Sequence, residues 1–173
     1  MNNKILIAYF SRAGNNYVGG EYRKFTCRQY RGRCADDRAA DRRHTVQNRP
    51  GKKYSNDYTR CTEEAQNEIR TNARPELSEY LDNIDDYDTI ILGFPNYWGT
   101  MPMPVCTFLD RYDFSGKMIL PLCTNEGSGM GHSENDIKKL CPSANVHKGL
   151  AVRGGSVKNA QSDIERWLKM QEI

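Results

Sequence analysis

Thr89-Ile90-Ile91-Leu92-Gly93-Phe94 runs directly into Pro95-Asn96-Tyr97-Trp98-Gly99-Thr100-Met101-Pro102-Met103-Pro104. The first six residues are almost wholly apolar and too few for a helix, which is how a strand buried on both faces of a parallel sheet reads. The next ten place two large aromatics between a proline and a glycine, at that strand's carboxyl end. Open parallel sheets bind their ligands there. Tyr97 and Trp98 are costly to leave in water, and a planar aromatic ligand is a natural partner for them. The plainer role for Trp98 is packing under a neighbouring loop. If that ligand were redox-active, stacking would favour its neutral oxidised ring over the anionic reduced one and so tune a redox potential.

Working outward, the same short apolar pattern recurs at Lys4 to Phe10, Met118 to Cys123 and Gly149 to Val152. Amphipathic stretches fall between and after them, at Thr59 to Asn72, Pro104 to Arg111, Ser133 to Leu140 and Val157 to Lys169. In the last, Val157, Ala160, Ile164, Trp167 and Leu168 recur at spacings of three and four behind Ser156, a candidate N-cap. Trp167 is therefore expected in the core. Alternation of this kind predicts an α/β chain: a doubly wound parallel sheet in a three-layer αβα arrangement, forming one domain over residues 1–173.

Two further loops follow predicted strands. Ser11-Arg12-Ala13-Gly14-Asn15-Asn16 is small and polar; its backbone N–H groups can approach a phosphate, and the Ser11 hydroxyl can bond an anion. Thr124-Asn125-Glu126-Gly127-Ser128-Gly129-Met130-Gly131 permits close backbone approach and offers polar groups to a ligand edge. Either loop alone reads equally as a turn. Together with the Tyr97-Trp98 loop they would converge on one rim of the sheet.

Charge is unevenly distributed. The chain carries a net +3, but eleven basic and four acidic residues between Glu21 and Lys53 give that stretch +7 and leave −4 elsewhere. Val46 is its only branched aliphatic residue, so the stretch is expected to supply no core strand or helix, and residues 22–51 to be disordered. Its arginines, interspersed with Tyr22, Phe25 and Tyr30, also read as a polyanion-binding arm. Reverse translation gives a more economical account. A one-base shift from Tyr22 permits Ile-Val-Asn-Leu-Pro-Val-Gly-Asn-Thr-Glu-Val, and the same shift over Arg43 to Lys53 permits Gly-Thr-Leu-Phe-Lys-Ile-Asp-Pro-Val-Lys. These supply a Gly-Asn-Thr turn with the start of a helix, and a strand, which an alternating fold otherwise lacks here. Both point to a compensated frameshift, entered near Glu21 and left near Lys52-Lys53.

Ile5 to Asn15, Gly93 to Pro102 and Cys123 to Gly129 resemble the three FMN-binding loops of the flavodoxin-like family. The resemblance covers Met1 to Gly20 and Tyr54 to the C-terminus. It implies a five-stranded parallel sheet holding noncovalent FMN, with phosphate at Ser11, Ala13, Gly14 and Asn15. The ring would lie between Pro95, Asn96, Tyr97, Trp98 and Gly99 on one side and Thr124, Asn125, Glu126, Gly127, Ser128 and Gly129 on the other. It also implies a Gly-Asn-Thr turn that helps hold the phosphate. Here those positions read Cys27 to Arg31, so the first helix and second strand are expected to be disrupted and FMN binding weakened.

Other chemistries are disfavoured. Cys27, Cys34, Cys61, Cys106, Cys123 and Cys141 form no C-x-x-C pair and have no histidine at metal-ligand spacing; free thiols are expected, with Cys106 and Cys123 packing as small apolar residues. His44, His132 and His147 lack a paired carboxylate or nucleophile and read as surface residues. No catalytic residue and no metal ligand is assigned. The Ile5–Phe10 run is far shorter than the ~20 residues of a membrane helix. The expectation is a cytoplasmic FMN protein that transfers electrons between a reductase and an acceptor. The alternatives are a small NAD(P)H-dependent FMN or quinone reductase, and a flavin-free polyanion-binding module. Its partners would be redox proteins or a nicotinamide cofactor, not a membrane, with nucleic acid disfavoured.

Overall fold

The computed structural model describes residues 4–25 and 43–173. Strands β1 (Ile5–Tyr9), β4 (Arg43–Gln47), β5 (Thr89–Pro95), β6 (Met118–Asn125), β7 (Asn145–Val146) and β8 (Leu150–Arg153) form the main sheet, and β2 (Gly14–Val18) pairs with β3 (Glu21–Phe25) in a separate antiparallel hairpin. Every pairing in the main sheet is parallel, in the order β4-β1-β5-β6, after which β7 and β8 lie against successive parts of β6. The fifth position is thus one interrupted strand. With β4 outside β1, the positions run second, first, third, fourth, fifth: the flavodoxin-like doubly wound order.

Strand residues alternate between two apolar layers. Leu6, Ala8, Ile90, Leu92 and Ile119 join the larger cluster, with Val105, Phe108 and Leu109 of helix α2 (Met103–Arg111) and Ile137 of α3 (Ser133–Leu140). Ile5, Ile7, Ile91 and Leu120 face the other way, onto Trp167 of α4 (Gln161–Lys169). Helix α1 (Tyr58–Arg70) buries Cys61 and Ala65 and opens at Asp57, whose carboxylate accepts from the Arg60 amide at 2.8 Å. A sheet buried on both faces is what the continuous apolar strands require.

Three expectations need correction. The stretch read as unable to form structure contributes β3 and β4, and β4 occupies the second-strand position. An edge strand gains its ladder from backbone groups alone and buries one face, so Val46 suffices as its inward anchor. Residues 26–42, including the missing Gly-Asn-Thr turn and any first helix, lie outside the described residues. The last helix begins at Gln161 rather than Val157. Gly154–Asn159 is a 3₁₀ run, consistent with the poor helix propensity of Gly154-Gly155. His132 does have a carboxylate partner: its Nδ1 lies 2.5 Å from Asp136 Oδ2.

Candidate functional site

A cleft of about 570 Å³ opens at the carboxyl ends of β5 and β6. Its walls come from the β5 and β6 loops, the first turns of α1, the β2–β3 hairpin and Gly154.

The β5 loop is a tight reversal. Tyr97 N donates to Thr100 O at 2.8 Å, Thr100 N returns to Tyr97 O at 3.1 Å, and both Trp98 (φ 54°) and Gly99 (φ 90°) lie in the left-handed region. That is the signature of a two-residue primed turn. It splits the aromatic pair. Trp98 is 55% exposed, with its indole Nε1 donating to Thr62 O at 3.0 Å. Tyr97 instead turns inward, edge-on to Phe10 and Tyr54, its hydroxyl facing the Cys61 thiol. Burial raises the Tyr97 phenol, and likewise the Cys61 thiol, above the ordinary range, so both stay neutral at physiological pH.

Asn96 and Asn125 organise the rest of the rim. Asn96 Nδ2 donates to Gly129 O at 3.1 Å while its Oδ1 accepts from Gly99 N at 2.9 Å, tying the β5 loop to the β6 loop. Asn125 Oδ1 accepts from Gly127 N and Gly129 N at 2.9 and 3.0 Å, folding the glycine-rich loop back on itself. Burial alone would raise the Asp136 carboxyl, but hydrogen bonds from Thr100 and His132, the His132 charge and a bond from Lys139 outweigh it and hold the group below its usual range.

The hairpin crosses the mouth as a strap. Glu126 Oε2 accepts from Gly19 N at the hairpin turn at 2.9 Å. At the base, Arg12 donates to four neutral acceptors: Asn15 O (2.7 Å), Asn16 Oδ1 (3.2 Å), Ser55 O (2.7 Å) and Asn56 O (3.2 Å). Among the described residues no carboxylate pairs with it there. Among the described residues, two buried polar atoms of cleft-lining side chains have no partner, Arg12 Nε and Glu126 Oε1.

Of the residues expected at the site, Pro95, Asn96, Tyr97, Trp98, Gly99, Thr124, Asn125, Glu126 and Ser128 line the cleft. Gly127 and Gly129 shape its rim through Asn125 without lining it. Ser11, Ala13, Gly14 and Asn15 do not line it either. Gly14 and Asn15 are taken up by β2, and the Asn15 amide is directed at Asn56 O at 3.3 Å. Sequence reading passed over Arg12, Asn16, Tyr17, Val18, Tyr58, Cys61, Thr62, Ala65 and Gly154. Arg12 was within a quoted loop, and Gly19-Gly20 is a strong hairpin signal that would have brought in Tyr17 and Val18. Those on α1 had no local signal.

A family profile described as Flavodoxin matches residues 4–171. The chain belongs to the flavodoxin family. No curated protein matches it. Among solved structures, a candidate flavoprotein from Bacteroides uniformis ATCC 8492 is 27% identical with a TM-score of 0.69, covering 95% of this chain and 99% of its own. Another from Bacteroides eggerthii DSM 20697 is 24% identical with a TM-score of 0.72, covering 99% of each chain. A flavoprotein from Lactobacillus acidophilus NCFM, crystallised in complex with FMN, is 22% identical with a TM-score of 0.59, covering 92% of this chain and 99% of its own. Within this flavodoxin-family fold the cleft lies where the three strand-end loops converge, and Arg12 and Asn16 are the parts of the first loop that reach it. Among the described residues no group of histidine, cysteine and carboxylate side chains could hold a metal ion, and no helix is long and apolar enough to cross a membrane.

Proposed function

We propose that this chain binds FMN noncovalently in the cleft and passes electrons between a reductase and an acceptor. The observation that carries the reading is the pair of unpartnered buried atoms in the cleft wall. Arg12 Nε is a cationic donor and Glu126 Oε1 an anionic acceptor, so together they suit a ligand with a phosphate and a ring N–H. A cleft of about 570 Å³ is in the usual range for a cofactor-sized molecule. The residues present therefore fit FMN.

Trp98 would lie against the ring, with Asn96, Thr124, Asn125 and Glu126 along its polar edge and Arg12 and Asn16 toward the phosphate. Bound FMN supplies the redox chemistry. The protein's own part is to orient it, to exclude water with the strap and Tyr97, and to set the polarity around it. No side chain needs to act as nucleophile or general base.

Titrating FMN while following flavin and tryptophan emission tests binding; saturable quenching of both is expected. Mixing the flavin-loaded chain with NADH or NADPH then tests the role. A carrier oxidises neither until a partner reductase is added, whereas steady oxidation by the chain alone would make it a nicotinamide-dependent reductase.

A further inference from the structure

The Trp98 turn is strained. Tryptophan at φ 54° occupies a region that side chains other than those of Gly, Asn and Asp seldom visit, and it persists only where surrounding bonds over-determine it. Some of those bonds are local: the Tyr97–Thr100 pair and Gly99 N to Asn96 Oδ1. Others come from the first turn of α3. Asp136 Oδ2 accepts from Thr100 Oγ1 at 2.7 Å and meets His132 Nδ1 at 2.5 Å, and His132 N donates to Gly99 O at 2.8 Å. One carboxylate thus grips Thr100 directly and fixes the residue that grips Gly99.

We propose that Asp136 is a positioning residue whose carboxylate, through Thr100 and His132, holds the Tyr97–Thr100 turn in the conformation that presents Trp98 to the cleft. Its effect on the ligand rests on the FMN reading above; its effect on the turn does not. A plainer role exists, since an acidic residue in the first turn of a helix is favoured by the helix dipole, and exposed ion pairs contribute little. That role does not explain the Thr100 contact. Thr100 is 6% exposed, 36 residues away in sequence, and its hydroxyl meets the carboxylate across the α3–turn junction.

The test uses Thr100→Val, which removes the hydroxyl but leaves Asp136 and the helix intact, beside Thr100→Ser, which keeps it, and Asp136→Ala. All are made in a Trp167→Phe background, so that Trp98 is the sole tryptophan. In the FMN-free protein, Thr100→Val and Asp136→Ala should shift Trp98 emission and raise its quenching by acrylamide, while Thr100→Ser matches the parent. In the loaded protein, the first two should raise the FMN dissociation constant about tenfold, the effect of losing one charge-assisted hydrogen bond, and shift the midpoint potential. Parent-like Trp98 emission, quenching and FMN affinity in Thr100→Val overturn the proposal. If that variant does not fold, Asp136→Ala, altered at a partly exposed helix position, decides on the same readouts. If the parent binds no FMN, the functional reading fails while the Trp98 signals still judge the clamp.

Discussion

The Asn48 backbone N–H donates to Tyr9 O at 2.7 Å, fixing Asn48 just past the end of β4 against the end of β1, fully buried and, among the described residues, with neither side-chain oxygen nor nitrogen partnered. An unmade hydrogen bond at such a site costs ~1–3 kcal/mol. The one-base-shifted reading of Arg43 to Lys53 permits isoleucine at position 48, a side chain with no polar atom to leave unpaired there.

Asn48→Ile in the given chain should therefore raise stability by ~1–3 kcal/mol, read from the urea midpoint at unchanged slope. No gain, or a loss, would mean the pocket at position 48 is adapted to the amide.

Resequencing the gene across Val18 to Tyr54, and expressing the given and frame-restored chains side by side, tests the larger claim. The restored chain should purify yellow and the given one pale. Recovered phosphate contacts of even ~3 kcal/mol would tighten FMN more than a hundredfold. Equal FMN retention by both would show that the segment does not limit the site.

Trp98→Ala should weaken FMN about tenfold and abolish most of the tryptophan quenching on titration, whereas Trp98→Phe should retain most of the affinity. Unchanged affinity and potential in Trp98→Ala would leave the indole without a stacking role.

Gly131→Ala should damage the rim more than any polar substitution there. Gly131 has φ +57°, and a Cβ would sit 2.0 Å from Gly99 O, inside the contact that joins the β6 loop to the Trp98 turn. Left-handed backbone alone costs ~1–2 kcal/mol, before the clash. Thermal unfolding and FMN titration should both register it; a neutral variant would show the loop can shift freely.

Glu68 predicts a pH effect. Burial raises its carboxyl above the ordinary glutamate range, and the bond from the Tyr54 hydroxyl only partly opposes this. The folded chain then holds a proton that the unfolded chain has released, so stability falls as pH rises from the unfolded carboxyl value through the raised one. The contribution is complete below that window and gone above it. Glu68→Gln should flatten the stability profile just above the ordinary carboxylate range, measured by urea midpoints; an unaltered slope would assign the dependence elsewhere.

The sequence by itself determined the strands that are buried on both faces. Ile5–Tyr9, Thr89–Pro95 and Met118–Asn125 are legible because burial on two sides demands an unbroken apolar run, and their carboxyl-end loops because polar and aromatic residues cluster after such runs. It also exposed the anomalous charge between Glu21 and Lys53. Only the tertiary structure placed β4, since an edge strand is selected by the backbone groups of its neighbour and leaves almost no hydrophobic pattern. The same holds within the site. Trp98 turning outward while Tyr97 turns in, Arg12 reaching the cleft past Gly14 and Asn15, and Asp136 meeting Thr100 are long-range contacts set by backbone geometry. Neither residue of such a pair carries, in its own neighbourhood of the sequence, a record of the other.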